Sequence, residues 1–201
     1  MKTAIVMPAW NEEEGISGFL AELESHMRTT QPQFFVVDDK STDSTREQLE
    51  SMISEGFPLA IATNERNLGH GPSTIRALTM GLATEPDAIV AIDGDGQFLG
   101  EDVAGALKAF QGADVDVLEG TRVSRTDPSF RRVVTLITRG LVWSRTGTVP
   151  GDANTPLRIY KPDALRMLLA SVPENMLTPN LAISVLTRNS NLAVMEFPVR
   201  S

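Results

Sequence analysis

The stretch Ala88-Ile89-Val90-Ala91-Ile92-Asp93-Gly94-Asp95-Gly96-Gln97 constrains the fold more than any other part of the chain. Its small and β-branched apolar residues read as a strand buried on both faces, the pattern of a parallel sheet covered by helices. Two carboxylates follow one residue apart, at the strand's C-terminal end, where open parallel sheets bind ligands. In extended chain Asp93 and Asp95 point to the same side, roughly 6.6 Å apart. Drawn together by a turn to ~4 Å, they repel by about 4 kcal/mol at an effective dielectric of 20. A divalent cation relieves that repulsion. Gly94 and Gly96 leave room for a ligand to approach the backbone. The same residues also suit a plain turn, or a phosphatase-type Asp-x-Asp-Gly-Thr/Val turn with Gln97 in the last place. An EF-hand is excluded, because Phe98 and Ala104 stand where it needs Gly and Glu.

The 201 residues suffice for one α/β domain with a substantial core. With no cysteine there is no disulfide framework and no thiol chemistry. No signal-peptide pattern precedes the first strand, and no apolar run reaches the ~18 residues of a spanning helix. The net charge of −8 is unevenly spread. Residues 1–119 carry 7 Lys/Arg against 21 Asp/Glu, a net of −14, and residues 120–201 carry 11 against 5, a net of +6. The basic half points to an anionic partner. Few aromatic residues and no long basic face argue against nucleic acid.

Read in order, Lys2–Met7 is a buried strand ended by Pro8-Ala9-Trp10-Asn11. Asn11 is the expected N-cap, with Glu12, Glu13 and Glu14 in the first helical turn. Ile16, Phe19, Leu20, Leu23 and Met27 then form one apolar helical stripe. Gln33–Val37 is a second strand ending in Asp38-Asp39. Ser44-Thr45-Arg46-Glu47 fits a capping box for a helix to about Ser54. Leu59–Thr63 is a strand, and Gly69-His70-Gly71-Pro72-Ser73 opens a helix through Leu82. After the acidic turn come a helix over Glu101–Phe110 and a strand over Val115–Glu119. This alternation predicts a doubly wound, mostly parallel sheet whose strand ends deliver polar residues to one edge. Beyond Gly120 lie Arg122, Arg125, Arg131, Arg132, Arg139 and Arg145 beside an apolar helical face (Phe130, Val133, Val134, Ile137, Leu141). That combination suits an anionic membrane surface through residues 122–145, or a solvated charge run. Gly151–Tyr160 reads as loop then strand, Pro162–Ala170 and Leu177–Arg188 as helices, and Leu192–Val199 as the last strand.

Five ordered blocks together resemble the family 2 glycosyltransferases of GT-A fold. They are Pro8-Ala9-Trp10-Asn11-Glu12, Val36 to Thr45, Asn67-Leu68-Gly69, Asp93-Gly94-Asp95-Gly96-Gln97 and Gly120-Thr121-Arg122. Their order matches over nearly the whole chain. Within the family the likeness is to polyprenyl-phosphate sugar transferases of the dolichol-phosphate mannose synthase type.

The resemblance implies one catalytic domain over residues 1–201, with a nucleotide-sugar half (1–119) and an acceptor half (120–201). It implies a nucleotide-sugar pocket of Pro8, Ala9, Trp10, Glu12, Val37, Asp39, Asn67, Asp93 and Gly94. Asp93, Asp95 and Gln97 would hold Mg²⁺ or Mn²⁺, which take few carboxylates and complete their shell with phosphate and water. Asp95 would thereby join the catalytic group, and Arg122 with Arg131, or Arg132 in its place, would bind an acceptor phosphate. The implied reaction is an inverting transfer from a UDP- or GDP-sugar to a polyprenyl phosphate, in the cytoplasm or at its membrane face. A glycan or small-molecule hydroxyl acceptor would need a base, for which Asp152 is the candidate. A non-catalytic nucleotide-sugar-binding module is the remaining alternative.

The chain departs from the family pattern at four places. Trp10 replaces a tyrosine, Thr121 a serine, and His70 a Lys or Arg; Thr155-Pro156-Leu157-Arg158 replaces a Gly-Phe-Arg-like block. Relatives continue beyond the point matched by Ser201 into further basic residues and often membrane helices.

Overall fold

The computed structural model describes residues 1–122 and 155–200. Strand β1 (Thr3–Ala9) is buried along its whole length. It lies inside a seven-stranded sheet of order β3-β2-β1-β4-β6-β5-β7. The others are β2 (Pro32–Asp38), β3 (Leu59–Thr63), β4 (Ala88–Ala91), β5 (Val117–Arg122), β6 (Arg158–Tyr160) and β7 (Val194–Val199). The first four run parallel, so their C-terminal ends share one edge. Strand β6 is antiparallel to both β4 and β5, while β7 pairs parallel to β5. The expected doubly wound sheet is therefore mixed: one three-residue reversed strand sits between β4 and β5.

Helices α1 (Ile16–Met27), α2 (Thr45–Ser54) and α4 (Gly100–Gly112) cover one face. Helices α3 (His70–Leu82), α5 (Pro162–Leu169) and α6 (Pro179–Asn189) cover the other. The apolar stripe of α1 is buried as its spacing predicts: Ile16, Phe19, Leu20, Leu23 and Met27 all face the core. Side chains alternate along β1, Ile5 and Met7 entering one core and Ala4 and Val6 the other.

Both expected helix caps are corrected by the structure. Helix α1 begins at Ile16, not after Asn11, and no acid lies in its first turn. Asn11 instead takes a left-handed φ of 55°, and its Oδ1 accepts hydrogen bonds from Thr42 N at 2.8 Å and Thr42 Oγ1 at 3.3 Å. Glu12 precedes the helix in a turn, its carbonyl accepting from Gly15 N and Ile16 N. Ser44 makes no side-chain cap bond. Asp43 takes that role, its Oδ1 accepting from Thr45 N at 3.0 Å and Thr45 Oγ1 at 2.6 Å. An ionised carboxylate outcompetes a hydroxyl as acceptor for those donors.

Candidate active site

The parallel strand ends converge on a cavity of about 790 Å³. Its walls are Pro8, Ala9 and Trp10 from the end of β1, Glu12 from the following turn, Asp39, Lys40 and Thr42 after β2, Asn67, Gly69, His70 and Ser73 around the start of α3, and Asp93, Gly94 and Asp95 after β4. Half-exposed Trp10 presents its indole at the wall.

Asp39 is the hub of one side. It is buried, and its carboxylate accepts from Asn64 Nδ2 at 2.6 Å, Leu68 N at 2.8 Å and Gly69 N at 2.8 Å. Its own amide donates to Ala9 O at 2.9 Å, tying the β1 and β2 ends together. Gly69 has φ +89°, a conformation that glycine adopts without strain. A carboxylate offers about four lone-pair sites, so the three donors leave one acceptor position on Asp39, a residue of the cavity wall. Behind it, Asn64 Nδ2 donates to Ser73 Oγ at 2.8 Å and Arg76 donates to Asn64 Oδ1. A second set of bonds fastens the β1–α1 loop to the β2–α2 loop. Asn11 N donates to Ser41 Oγ at 3.0 Å, Glu12 N to Thr45 Oγ1 at 2.8 Å and Ser44 N to Glu13 Oε2 at 2.9 Å. Trp10 and Glu12 are thus carried on a loop held at several points.

The opposite wall is acidic. Burial pushes the Asp93 carboxyl above its usual range; the nearby His70 and Arg122 pull it down, and Asp95 raises it further. His70 Nε2 lies 3.5 Å from Asp93 Oδ1. Glu12 is also raised, by burial first and then by the charges of Asp95, Asp43 and Asp93. The wall is short of positive charge.

Of the residues expected in the site, Pro8, Ala9, Trp10, Glu12, Asp39, Asn67, Asp93, Gly94 and Asp95 share this one cavity. Val37 does not reach the wall; it is buried in β2 and packs in the core under α3. The exposed Gln97 also lies off the wall, where Gly96 at φ +68° turns the chain, and its amide donates to Asp95 Oδ1 at 3.1 Å. Arg122, at the end of β5, is not part of the wall; its charge lowers the Asp93 pKa less than that of His70 does. Arg131, Asp152 and the expected membrane helix within 122–145 lie outside the described residues. The residues not anticipated on the wall are Lys40, Thr42, Gly69, His70 and Ser73. Each stands inside or just after a block that drew attention, and that nearness was their only signal.

A divalent cation suits this donor set. Among the described residues no three His, Cys, Asp or Glu side chains form a ready-made cage. Two carboxylates beside an open cavity are instead what Mg²⁺ or Mn²⁺ uses when substrate phosphates and water complete the shell. Asp93 and Asp95 are the residues that would hold it.

The profile of Glycosyl transferase family 2 matches residues 4–172. The undecaprenyl-phosphate 4-deoxy-4-formamido-L-arabinose transferase of Serratia proteamaculans is 24% identical over 198 residues, covering 97% of this chain and 60% of the relative. The UDP-N-acetylglucosamine–dolichyl-phosphate N-acetylglucosaminyltransferase of Methanococcus voltae is 21% identical, covering 98% of this chain and 84% of the relative. The chain thus spans about 60% of the length of the arabinose transferase. Among solved structures, glucosyl-3-phosphoglycerate synthase from Mycobacterium tuberculosis, in complex with Mn²⁺, UDP and glucosyl-3-phosphoglycerate, superposes with a TM-score of 0.71 at 18% identity, covering 99% of this chain and 70% of that one. S. aureus TarS in complex with UDP-GlcNAc gives 0.66 at 23% identity, covering 100% and 59%. These two likenesses establish the GT-A fold. With the family profile matching most of its length, the chain belongs to glycosyl transferase family 2.

Proposed function

We propose that this chain is the catalytic unit of a metal-dependent, inverting glycosyltransferase that moves a sugar from a nucleoside-diphosphate sugar to a polyprenyl phosphate. Residues 1–119 form its donor half and residues 120–201 its acceptor half. The observation that carries this reading is the cavity that joins Trp10 and Asp39 on one side to Asp93 and Asp95 on the other. Its two ends differ in chemistry as the two ends of a nucleotide sugar do. Support comes from relatives whose names specify undecaprenyl and dolichyl phosphate acceptors.

Trp10 stacks on the base. The free acceptor site of Asp39 receives an imide N–H from it, which uracil and guanine both offer. Asp93 and Asp95 would hold a divalent cation, which would supply positive charge for the departing diphosphate. Arg122 provides a guanidinium fork for phosphate oxygens, and Arg131 is assigned the acceptor phosphate with it. The anomeric carbon loses its bond to the diphosphate oxygen as it gains one to the acceptor phosphate oxygen, with inversion. A phosphate acceptor is already an anion, so no residue need remove a proton. Proximity and fixed charges supply the rate. The acceptor places the reaction at a membrane surface. No helix among the described residues is long and apolar enough to cross a membrane.

Thermal shift with UDP- and GDP-sugars, with and without Mn²⁺, tests the donor site. A ligand at 100 times its Kd stabilises by about 2.7 kcal/mol. A Mn²⁺-dependent shift with one nucleotide, lost in Asp95→Ala, is expected. Radiolabelled sugar should then pass to polyprenyl phosphate in vesicles. No shift with any nucleotide sugar overturns the proposal, and transfer to a glycan alone moves the acceptor to a hydroxyl with Asp152 as base.

A further inference from the structure

Beneath the acceptor side lies a buried ionic cluster that the proposed chemistry does not use. Glu119, on β5, is 2% exposed and Arg158, on β6, is 0% exposed. They are register partners across the antiparallel pair, with Arg158 Nη2 3.5 Å from Glu119 Oε1. Arg188 of α6 donates to the other oxygen, Glu119 Oε2, at 2.6 Å, and Ser184 Oγ donates to Oε1 at 3.4 Å. Arg188 is itself held by Ser184 Oγ at 2.8 Å and faces Glu196 of β7 at 3.6 Å. Tyr160, two residues further along β6, is fully buried on the same face, and the Arg158 charge offsets part of the rise that burial gives its phenol pKa. Three elements therefore meet on one carboxylate, and β7 is tied in through Arg188.

Such a cluster is a weak way to stabilise a fold, since an apolar set of the same volume commonly does as well or better. Its distinctive property is direction. Glu119 is followed by Gly120, Thr121 and Arg122, so it anchors the strand three residues before the guanidinium at the strand's exit. The exit is tightly seated. Gly120 N donates to Leu157 O at 2.9 Å, and a Cβ at Gly120 would stand 3.1 Å from the Leu157 Cβ. On its other side Arg158 is the register partner of Ala91, two residues before Asp93. Because β4 and β5 both run antiparallel to β6, they run parallel to each other. Arg122 and Asp93 thus leave the sheet at the same edge.

We infer that Glu119, gripped by Arg158, Arg188 and Ser184, is a positioning residue that fixes the exit of β5 and so aims Arg122 at the Asp93 side of the cavity. The inference rests on the proposed transferase reading only for what Arg122 then does to phosphate. Such a residue acts through Arg122, so its loss affects turnover more than donor affinity.

The test is a double-mutant cycle of Glu119→Gln with Arg122→Ala on the full chain, with Arg188→Gln as the second variant should Glu119→Gln not fold. In the Arg122 background of the natural chain, Glu119→Gln should lower kcat roughly 10- to 100-fold, the cost of a misplacement near 1 Å. The donor KM should stay within about threefold, since uniform donor binding is untouched. In the Arg122→Ala background the same substitution should have almost no further effect on kcat. Multiplicative effects in the double variant, or full kcat at a lowered melting temperature, overturn the inference. Amide exchange provides a readout that needs no substrate. Exchange at residues 120–122 should quicken in Glu119→Gln while β1 and β2 stay protected, and unchanged exchange at 120–122 overturns the inference by itself. A natural chain that neither binds nor turns over a nucleotide sugar overturns the transferase reading and leaves the exchange result to decide the role of Glu119.

Discussion

The two ends of the sheet are built on opposite rules. From β3 to β4 the strands are parallel and apolar, and charge appears only where each strand ends. From β6 to β7 the sheet is mixed, and Glu119 and Arg158 place charge inside it. On the first side, polar groups stand on loops stapled to one another, so the rigid apolar sheet supports the cavity without entering it. On the second, the sheet itself is oriented by ionic contacts. The difference teaches that a family of strands can position a site either by its ends or by its interior.

Removing charge from the second side should have the largest effect. Arg158→Ala leaves Glu119 short of a buried partner and should cost about 3–5 kcal/mol in urea denaturation, the scale for breaking a buried pair. A loss below ~1 kcal/mol would show that the interior charges do not orient the sheet. The next effect falls on the first side. Asp95→Ala should abolish the donor- and Mn²⁺-dependent stabilisation of about 2.7 kcal/mol at 100 times Kd, with little change in the ligand-free protein. Asp39→Ala frees a buried side-chain amide and two loop amides from their acceptor. It should cost about 1–3 kcal/mol and loosen the loop at Leu68 and Gly69, read by amide exchange.

The smallest effect is a pH dependence confined to the acidic wall. Asp93 and Glu12 have folded-state pKa values above their unfolded ones, chiefly through burial. Their protonated forms fit the fold better, so this contribution is full below the unfolded pKa and is lost as pH rises through the folded pKa. Near neutral pH, ligand-free Asp93→Asn should therefore melt above the natural chain. The gap should close as pH falls through the Asp93 transition. An Asp93→Asn variant that melts lower at neutral pH would mean that Asp93 is satisfied by its neighbours without a cation.

Much of the first side was legible in the sequence. The stripe from Ile16 to Met27 has a helical period, and the run from Ala88 to Ile92 is short, rich in β-branched residues and ended by Asp-Gly, which favours a strand. The pocket residues were legible as blocks, because the loop after each parallel strand must land at the same edge. The caps were not, since Asn11 and Ser44 are good cap residues whose local preference lost to partners some thirty residues away, or to the neighbouring Asp43. The reversed strand β6 was not legible as such either. Three residues carry no period, and its antiparallel place between β4 and β5 depends on pairing with both.

By itself, then, the sequence determined the alternation of strands and helices, the shared edge, and the identity of the acidic turn at Asp93 and Asp95. These follow from local periodicity and from chain direction, both of which are properties of consecutive residues. Only the tertiary structure decided that Asp39 staples the β3–α3 loop, that Gln97 turns off the cavity wall, and that Glu119 is gripped by two arginines from distant elements. Those outcomes depend on which partner wins a donor or an acceptor once the chain is packed. That competition is settled by distance in space, which sequence separation does not encode.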